Sequence, residues 1–244
     1  MLRGSTELEK SFQDIVKKSK EECGDKLEKI RQLTFVMHDF NRSLTKCCKP
    51  SGKVILTYVH SLVHTCYLEL MRISAHIYFL SCNGLYRNAF DDIRYVLESI
   101  VQALYIDLRH PKIDINTKIV ILKEVEDKRE YHAVRLIDEL EIDHKDKLKR
   151  EYKNLSRIIH PSHKQVIATL SDIMEDKGVP VTIDCEEISR IYDSMIRMYD
   201  IFFFLFTTYF PEVREALKKN PDFIKSVKAY NLTLLSRVLK VRLD

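Results

Sequence analysis

Polar side chains that could bind an anionic group are concentrated in the stretch LSRIIHPSH around Pro161. They are Ser156, Arg157, His160, Ser162 and His163. If Pro161 is the first residue of a helix, the backbone N–H groups after it face outward and favour an anion such as phosphate. A histidine, with a pKa of about 6.5, can act as general base or acid, and an arginine can stabilise charge that develops on phosphorus. This set of groups would suit cleavage of RNA through the 2′-hydroxyl without a metal.

The same stretch has a structural alternative. His160 would then cap carbonyl groups at the C-terminus of a helix, where the helix dipole favours a cation. The sequence leaves both roles open, with Arg157, His160 and His163 as the candidate catalytic residues.

A second polar cluster lies on the apolar segment that follows Gly84. Its members recur every three or four positions, so a helix would place them in one stripe beside a broad apolar arc. They are Arg87, Asp91, Arg94, Glu98 and Gln102. One interpretation is a polar cleft wall, in which Arg94 and Glu98 support the catalytic candidates. The other is an ion-pair stripe that orients the helix or faces solvent.

Together the two clusters resemble a known group of proteins. The patterns are Gly84-x4-Ala89-x4-Arg94-x3-Glu98 and, about sixty residues later, Ser156-x3-His160-Pro161-Ser162. Over roughly residues 50–210 they resemble an uncharacterised all-helical microbial family, itself similar to a distant branch of the HEPN superfamily. That superfamily consists of helical bundles that often dimerise and includes toxin, abortive-infection and CRISPR-associated ribonucleases. The resemblance therefore implies a helical bundle with a stress or defence role.

The resemblance also assigns roles to two candidate residues. HEPN ribonucleases carry an arginine followed after four to six residues by a histidine, and here this pattern would fall on Arg157 and His163. The residue after the arginine is usually polar, whereas this chain has Ile158. Since many HEPN-like proteins are non-catalytic, the resemblance implies the fold and leaves the activity open.

The sequence lacks the residue spacings that several other kinds of active site and metal site need. The five glycines form no phosphate-binding loop and no nucleophile elbow, so no cofactor is expected. Only Glu141 with His144 matches the Glu-x-x-His motif, of which a di-iron bundle needs two. His60 and His64 stand one turn apart, but Ser61 occupies the position of the zincin glutamate. A half-buried packing role for these histidines is favoured over a metal site.

Composition indicates a soluble intracellular protein. The 244 residues are 45% hydrophobic and 31% charged, and the formal charge of +4 is low for a dedicated duplex binder. The most apolar run, 201–210, covers about half of the roughly 20 residues that a membrane span requires. Without a signal-like N-terminus, the six cysteines are expected to be free thiols in the cytoplasm. Intracellular disulfides in heat-adapted organisms are the exception, and few Gln and no Trp hint at such a source.

The placement of glycine and proline predicts an all-α fold. All five glycines and six prolines lie between segments with helical periodicity or at their ends, as expected because they cost about 1 and 3 kcal/mol inside helices. We predict about eight or nine helices in a bundle around a central helix near 84–109. Continuous helices are predicted over 53–80, 114–142 and 144–160.

Capping residues predict where several helices start. Capping boxes predict helix starts at Thr6, Asp25 and Asp184, and Asn220 before Pro221 predicts the start of the last helix. The chain is predicted to be a single domain, 1–244. It would comprise an N-terminal layer over 5–48, a bundle core over 53–210 and a C-terminal extension over 212–242.

Two features favour an interaction module instead of an enzyme. The aromatic run Phe202, Phe203, Phe204 and Phe206 could form a dimer or partner surface. Residues 212–244 hold eight Lys/Arg against four Asp/Glu and could contact nucleic acid, although solvated lysine on a surface helix gives the same composition. We expect a HEPN-like protein, either a metal-independent endoribonuclease or a non-catalytic module, with a homodimer and RNA as partners.

Overall fold

The chain forms helices and no strand over the part that the structure describes. The structure is a computed structural model and describes residues 3–47, 60–127, 133–159 and 183–243. These ranges form ten helices: α1 (Arg3–Cys47), α2 (Leu62–Cys82), α3 (Tyr86–Arg109), α4 (Ile115–Asp127), α5 (Ala133–Glu139), α6 (Lys145–Ile159), α7 (Cys185–Tyr209), α8 (Pro211–Leu217), α9 (Pro221–Ala229) and α10 (Thr233–Leu239). The all-α prediction is confirmed, with ten described helices in place of eight or nine.

Helix α3 lies at the centre of the bundle, as predicted for residues 84–109. It packs against α2, α4, α5, α6 and α7. Apolar side chains at steps of three and four residues, such as Ile93, Leu97, Ile100 and Leu104, are at most 3% exposed. This broad buried arc allows several helices to pack around α3 and leaves its polar stripe at the border of the core.

The long helix α1 bends at Cys23, where φ is −127° and ψ is 22°. Cys23 forms a disulfide with Cys185, the first residue of α7, across a Cα–Cα distance of 5.5 Å. The prediction of free thiols is therefore wrong for this pair. Because 162 residues separate the two cysteines, no local spacing signals their contact. Among the described side chains, Cys66 and Cys82 are free thiols.

Predicted helix starts are confirmed in part. Asp184 caps α7 by accepting hydrogen bonds from two backbone N–H groups, and Asn220 caps α9 in the same way, although α10 still follows. Thr6 lies inside α1, so the predicted start there is wrong. The bend of α1 falls at Cys23 and not at Asp25.

Two predicted helices have other bounds in the described part of the structure. Ser61 has extended backbone geometry, with φ −107° and ψ 124°, and its side chain accepts a hydrogen bond from the His64 N–H. Helix α2 therefore begins at Leu62, and the predicted helix over 53–80 is wrong at Ser61; residues 53–59 lie outside the described residues. The segment predicted over 114–142 contains α4 and α5, with residues 128–132 between them outside the described ranges.

The aromatic run of α7 belongs to the core. Phe202, Phe203, Phe204 and Phe206 are at most 5% exposed. Phe40 of α1 stacks on Phe203 with ring centroids 4.4 Å apart and meets Phe206 edge-on at 5.4 Å. The predicted dimer surface on this run is wrong, because a single chain already buries it. None of the described helices combines the length and the apolar character that crossing a membrane requires.

A buried carboxylate on α3 fixes the start of α2. Asp107 accepts hydrogen bonds from Ser61 Oγ at 2.7 Å and from the Val63 N–H at 3.0 Å. Lys118 of α4 neutralises this carboxylate, with Nζ 2.7 Å from Oδ1. One side chain thereby joins α2, α3 and α4.

A second buried carboxylate, Asp200 of α7, fixes the start of α10. It accepts hydrogen bonds from the N–H groups of Leu234 at 2.9 Å and Leu235 at 3.0 Å. Lys147 of α6 forms an ion pair with Asp200 at 3.1 Å and donates to Thr233 Oγ1 at 2.9 Å. The first turns of α6 and α10 therefore both bind the same carboxylate.

Candidate functional site

Arg94 and Glu98 of α3 meet Tyr152 of α6 in one polar cluster. Arg94 Nη2 donates to Glu98 Oε1 at 3.0 Å and to the Tyr152 hydroxyl at 3.1 Å. The Tyr152 hydroxyl donates to the same glutamate oxygen at 2.5 Å. The Arg94 guanidinium also lies 5.3 Å from the centroid of the tyrosine ring. The pair singled out from the sequence therefore bridges α3 and α6.

Tyr152 acts as a hydrogen-bond donor in this cluster. Burial and the hydrogen bond to Glu98 raise the pKa of Tyr152, so its phenol keeps its proton at neutral pH. Arg94 is 21% and Glu98 29% exposed, so water reaches both only partly. Arg94 Nη2, Glu98 and the Tyr152 hydroxyl pair with one another across α3 and α6, whereas the buried Arg94 Nε has no hydrogen-bond partner among the described residues. The cluster is therefore suited to holding two helices together. Of the remaining stripe, Arg87 and Asp91 are exposed and Gln102 is half-buried.

No feature of the sequence indicates a polar role for Tyr152. On α6 this residue belongs to the buried face with Leu148, Leu155 and Ile159, at steps of three and four residues. That periodicity predicts contact with the bundle. It does not identify a polar partner 54 positions away on another helix.

Arg157 lies on the outer face of α6. It is exposed and lines an open groove of about 310 Å³. The other lining residues are Asp146, Lys149, Arg150, Lys153 and Asn154. Arg157 follows Tyr152 by five residues, which places the two side chains about 140° apart around the helix. The structure therefore does not bring Arg157 together with Arg94 and Glu98.

The groove carries an excess of positive charge. Four cationic side chains line it, and Asp146 is its one lining carboxylate among the described residues. Lys149 forms an ion pair with Asp138 of α5. Arg150, Lys153 and Arg157 form no ion pair with any described residue. Guanidinium and ammonium groups in a row, without ion-pair partners in the described part of the chain, suit a ligand with repeated phosphates.

The other two catalytic candidates, His160 and His163, lie outside the described residues. Helix α6 covers Lys145–Ile159, in agreement with the predicted helix over 144–160 as far as the described residues extend. The roles predicted for both histidines and for the break at Pro161 stay predictions.

The histidines considered for a metal site flank the start of α2. His60 is exposed, and its carbonyl oxygen accepts a hydrogen bond from Lys118 Nζ at 2.8 Å. Burial lowers the pKa of His64, whose ring centroid lies 6.1 Å from that of Tyr67. Among the described residues, no three His, Cys, Asp or Glu side chains are grouped so that they could hold a metal ion.

No protein-family model, no curated protein and no solved structure matches this chain. Its function must therefore be inferred from the geometry and charge of its own surface.

Proposed function

We propose that this chain is a HEPN-like helical protein of a stress or defence system that binds RNA along the groove on α6. The proposal is carried by the row Arg150, Lys153 and Arg157, which have no ion-pair partner among the described residues. Steps of three and four residues place these cations on one side of the helix, about 5 Å apart along its axis. Each can contact one phosphate of an RNA backbone, and arginine can do so through two N–H groups.

The reaction that we propose for this surface is metal-independent cleavage of RNA. His163 would accept the proton of the 2′-hydroxyl, His160 would protonate the departing 5′-oxygen, and Arg157 would stabilise the charge on the phosphorus. The exposed position of Arg157 supports its role, because its guanidinium is open to a phosphate. Arg94 and Glu98 would contribute by holding α6 on α3, without contact with the RNA.

A second candidate function is RNA binding without cleavage. It is favoured by the separation of Arg157 from the cluster of Arg94, Glu98 and Tyr152, since an enzyme of the predicted kind would gather these groups in one cleft. Both candidates use the groove on α6 and differ in whether the RNA is cut.

The proposal includes a homodimer and a cytoplasmic location. The core position of the aromatic run means that a dimer would use another surface. The Cys23–Cys185 disulfide is compatible with the cytoplasm of a heat-adapted organism, where such bridges occur.

Cleavage is tested by incubating the protein with end-labelled RNA in EDTA. The wild type should produce fragments, and both His163→Ala and Arg157→Ala should lose at least 90% of that activity, in accord with typical losses of roughly 100-fold or more for such groups. If wild type and His163→Ala produce the same background amount of RNA fragments, the ribonuclease proposal is overturned. RNA retention that weakens with salt, without fragments, would support the binding module.

Binding is tested separately with a charge-reversal pair. Arg150→Glu combined with Lys153→Glu should weaken RNA binding at least tenfold, because two cations of the groove are replaced by carboxylates. The matched control is Lys10→Glu combined with Lys29→Glu, which makes the same change of net charge at exposed positions of α1. Equal RNA affinity for the two double variants would show that the groove is not the binding site.

A further inference from the structure

In the basic C-terminal segment, most cations without an ion-pair partner among the described residues lie at the end of the segment. Lys218 is paired with Glu215 at 2.7 Å, and Lys225 lies within 4.0 Å of Asp222. In contrast, residues 233–243 contain no Asp or Glu and hold three cations, Arg237, Lys240 and Arg242. All three are exposed and form no ion pair with a described residue. The surface of α10 and the residues after it therefore carries most of the unpaired positive charge of this segment, with Lys219 as the further exposed cation.

Helix α10 is held next to the basic helix α6. Asp200 accepts a hydrogen bond from the backbone N–H of Leu234 in the first turn of α10. The same carboxylate forms an ion pair with Lys147 in the first turn of α6. Lys147 also donates to Thr233, the first residue of α10. Two independent polar contacts thus fix the starts of both helices at one point of α7.

The register of the two helices places their cations on neighbouring surfaces. Arg237 follows Thr233 by one helical turn, so both lie on the same side of α10. Arg150 follows Lys147 by nearly one turn of α6. With a rise of 1.5 Å per residue and the reach of the Lys147 side chain to Thr233, the Cα atoms of Arg150 and Arg237 are at most roughly 23 Å apart.

We propose that α6 and α10 form one continuous RNA-binding surface, in which Arg237, Lys240 and Arg242 contact the same RNA molecule as Arg150, Lys153 and Arg157. This inference rests on the proposed RNA binding by the α6 groove. None of the described residues that line the groove is aromatic, so the proposed contacts are mainly to phosphates. The surface should therefore bind single-stranded RNA with little preference for sequence.

The test measures affinity and stoichiometry with a labelled single-stranded RNA of 20 nucleotides at several salt concentrations. The tail variant is Arg237→Glu with Arg242→Glu. Its matched control is Lys219→Glu with Lys225→Glu, which reverses two exposed charges in the part of the chain between α8 and α10. The tail variant should bind at least tenfold more weakly, with a salt dependence shallower by roughly 0.7 per lost phosphate contact, while the control stays within twofold of wild type.

The outcomes separate this inference from the proposed function. A tail variant that binds like wild type, beside a weakened Arg150→Glu/Lys153→Glu variant, would overturn the continuous surface and leave the proposed function standing. If the tail variant and the Arg150→Glu/Lys153→Glu variant both bind RNA with wild-type affinity, the continuous surface and the proposed RNA binding by the groove are both overturned. A drop from two bound RNA molecules to one in the tail variant would show two separate sites and overturn the inference. Loss of binding to phosphatidylserine vesicles with unchanged RNA affinity would identify a membrane contact instead and overturn it as well.

Discussion

Lys118 Nζ lies 2.7 Å from Asp107 Oδ1, and both side chains are at most 2% exposed. The other carboxylate oxygen of Asp107 caps α2 through Ser61 and Val63. Lys118 also donates to the carbonyl of His60, which precedes that cap. A buried ion pair between α3 and α4 therefore also determines where α2 begins.

Lys118→Met should destabilise the fold strongly. The substitution leaves Asp107 buried without its cation, and breaking a buried pair in this way costs about 3 to 5 kcal/mol. The free energy of unfolding is measured by urea titration. Lys112→Met, which removes an exposed lysine from the loop before α4, is the matched control and should change stability by less than about 0.5 kcal/mol. Equal stability of the two variants would show that Asp107 does not need the charge of Lys118.

Reduction of the Cys23–Cys185 disulfide should lower stability. The bridge closes a loop of 162 residues, and the restriction that such a loop places on the unfolded chain corresponds to about 3 to 5 kcal/mol. Thermal unfolding with and without a phosphine reductant measures the effect. The double variant Cys23→Ser/Cys185→Ser should match the reduced wild type and show no response to the reductant. A wild type that melts at the same temperature in both conditions would contradict the bridge.

Helical periodicity was sufficient to predict the main elements of the fold. The steps of three and four residues along Ile93, Leu97 and Ile100 predicted a central helix, because the side that they share must be buried. Asp184 and Asn220 predicted the starts of α7 and α9, since an N-cap depends on residues only two or three positions away.

Contacts between distant residues were outside the reach of sequence reasoning. The Cys23–Cys185 bridge, the cap that Asp107 places on α2 and the Tyr152–Glu98 hydrogen bond each join positions on different helices. Such pairs leave no periodic signal in a single sequence, because their spacing is set by how the helices pack. The hydrogen bond between Arg94 and Glu98 agrees with their spacing of four residues, whereas the outward position of Arg157 followed only from the packing of α6.

Phe203→Ala should destabilise the single chain without changing its oligomeric state. Phe203 is fully buried and stacks on Phe40, so its removal leaves a cavity that typically costs about 3 to 5 kcal/mol. Urea unfolding at two protein concentrations and sedimentation measure the two properties. Phe79→Ala, at an aromatic side chain that is 57% exposed, is the control and should cost far less. If wild type is a dimer and Phe203→Ala is a monomer of unchanged stability, the aromatic run belongs to an interface.

Tyr152→Phe should affect stability more than RNA binding. The substitution removes the hydroxyl that donates to Glu98 and leaves the ring under Arg94, so a loss of about 1 to 2 kcal/mol is expected for one hydrogen bond to a charged group. Affinity for RNA should stay within twofold, because the groove lies on the opposite side of α6. The control Arg157→Lys keeps a charge in the groove and should leave stability unchanged. A large loss of RNA affinity with unchanged stability in Tyr152→Phe would place the cluster in the binding site.

His64 should make the stability of the fold depend on pH. Burial lowers the pKa of its imidazole in the folded chain below the value of 6.5 expected when it is exposed. The unfolded chain therefore binds a proton that the folded chain resists, and the contribution of His64 to stability is lost as the pH falls below about 6.5. We expect the free energy of unfolding of His64→Gln to fall less steeply than that of wild type between about pH 7 and 5. His110→Gln, at the histidine that follows the last residue of α3, serves as the comparison variant. Parallel pH profiles for wild type and His64→Gln would show that the imidazole is as accessible to protons in the folded chain as in the unfolded one.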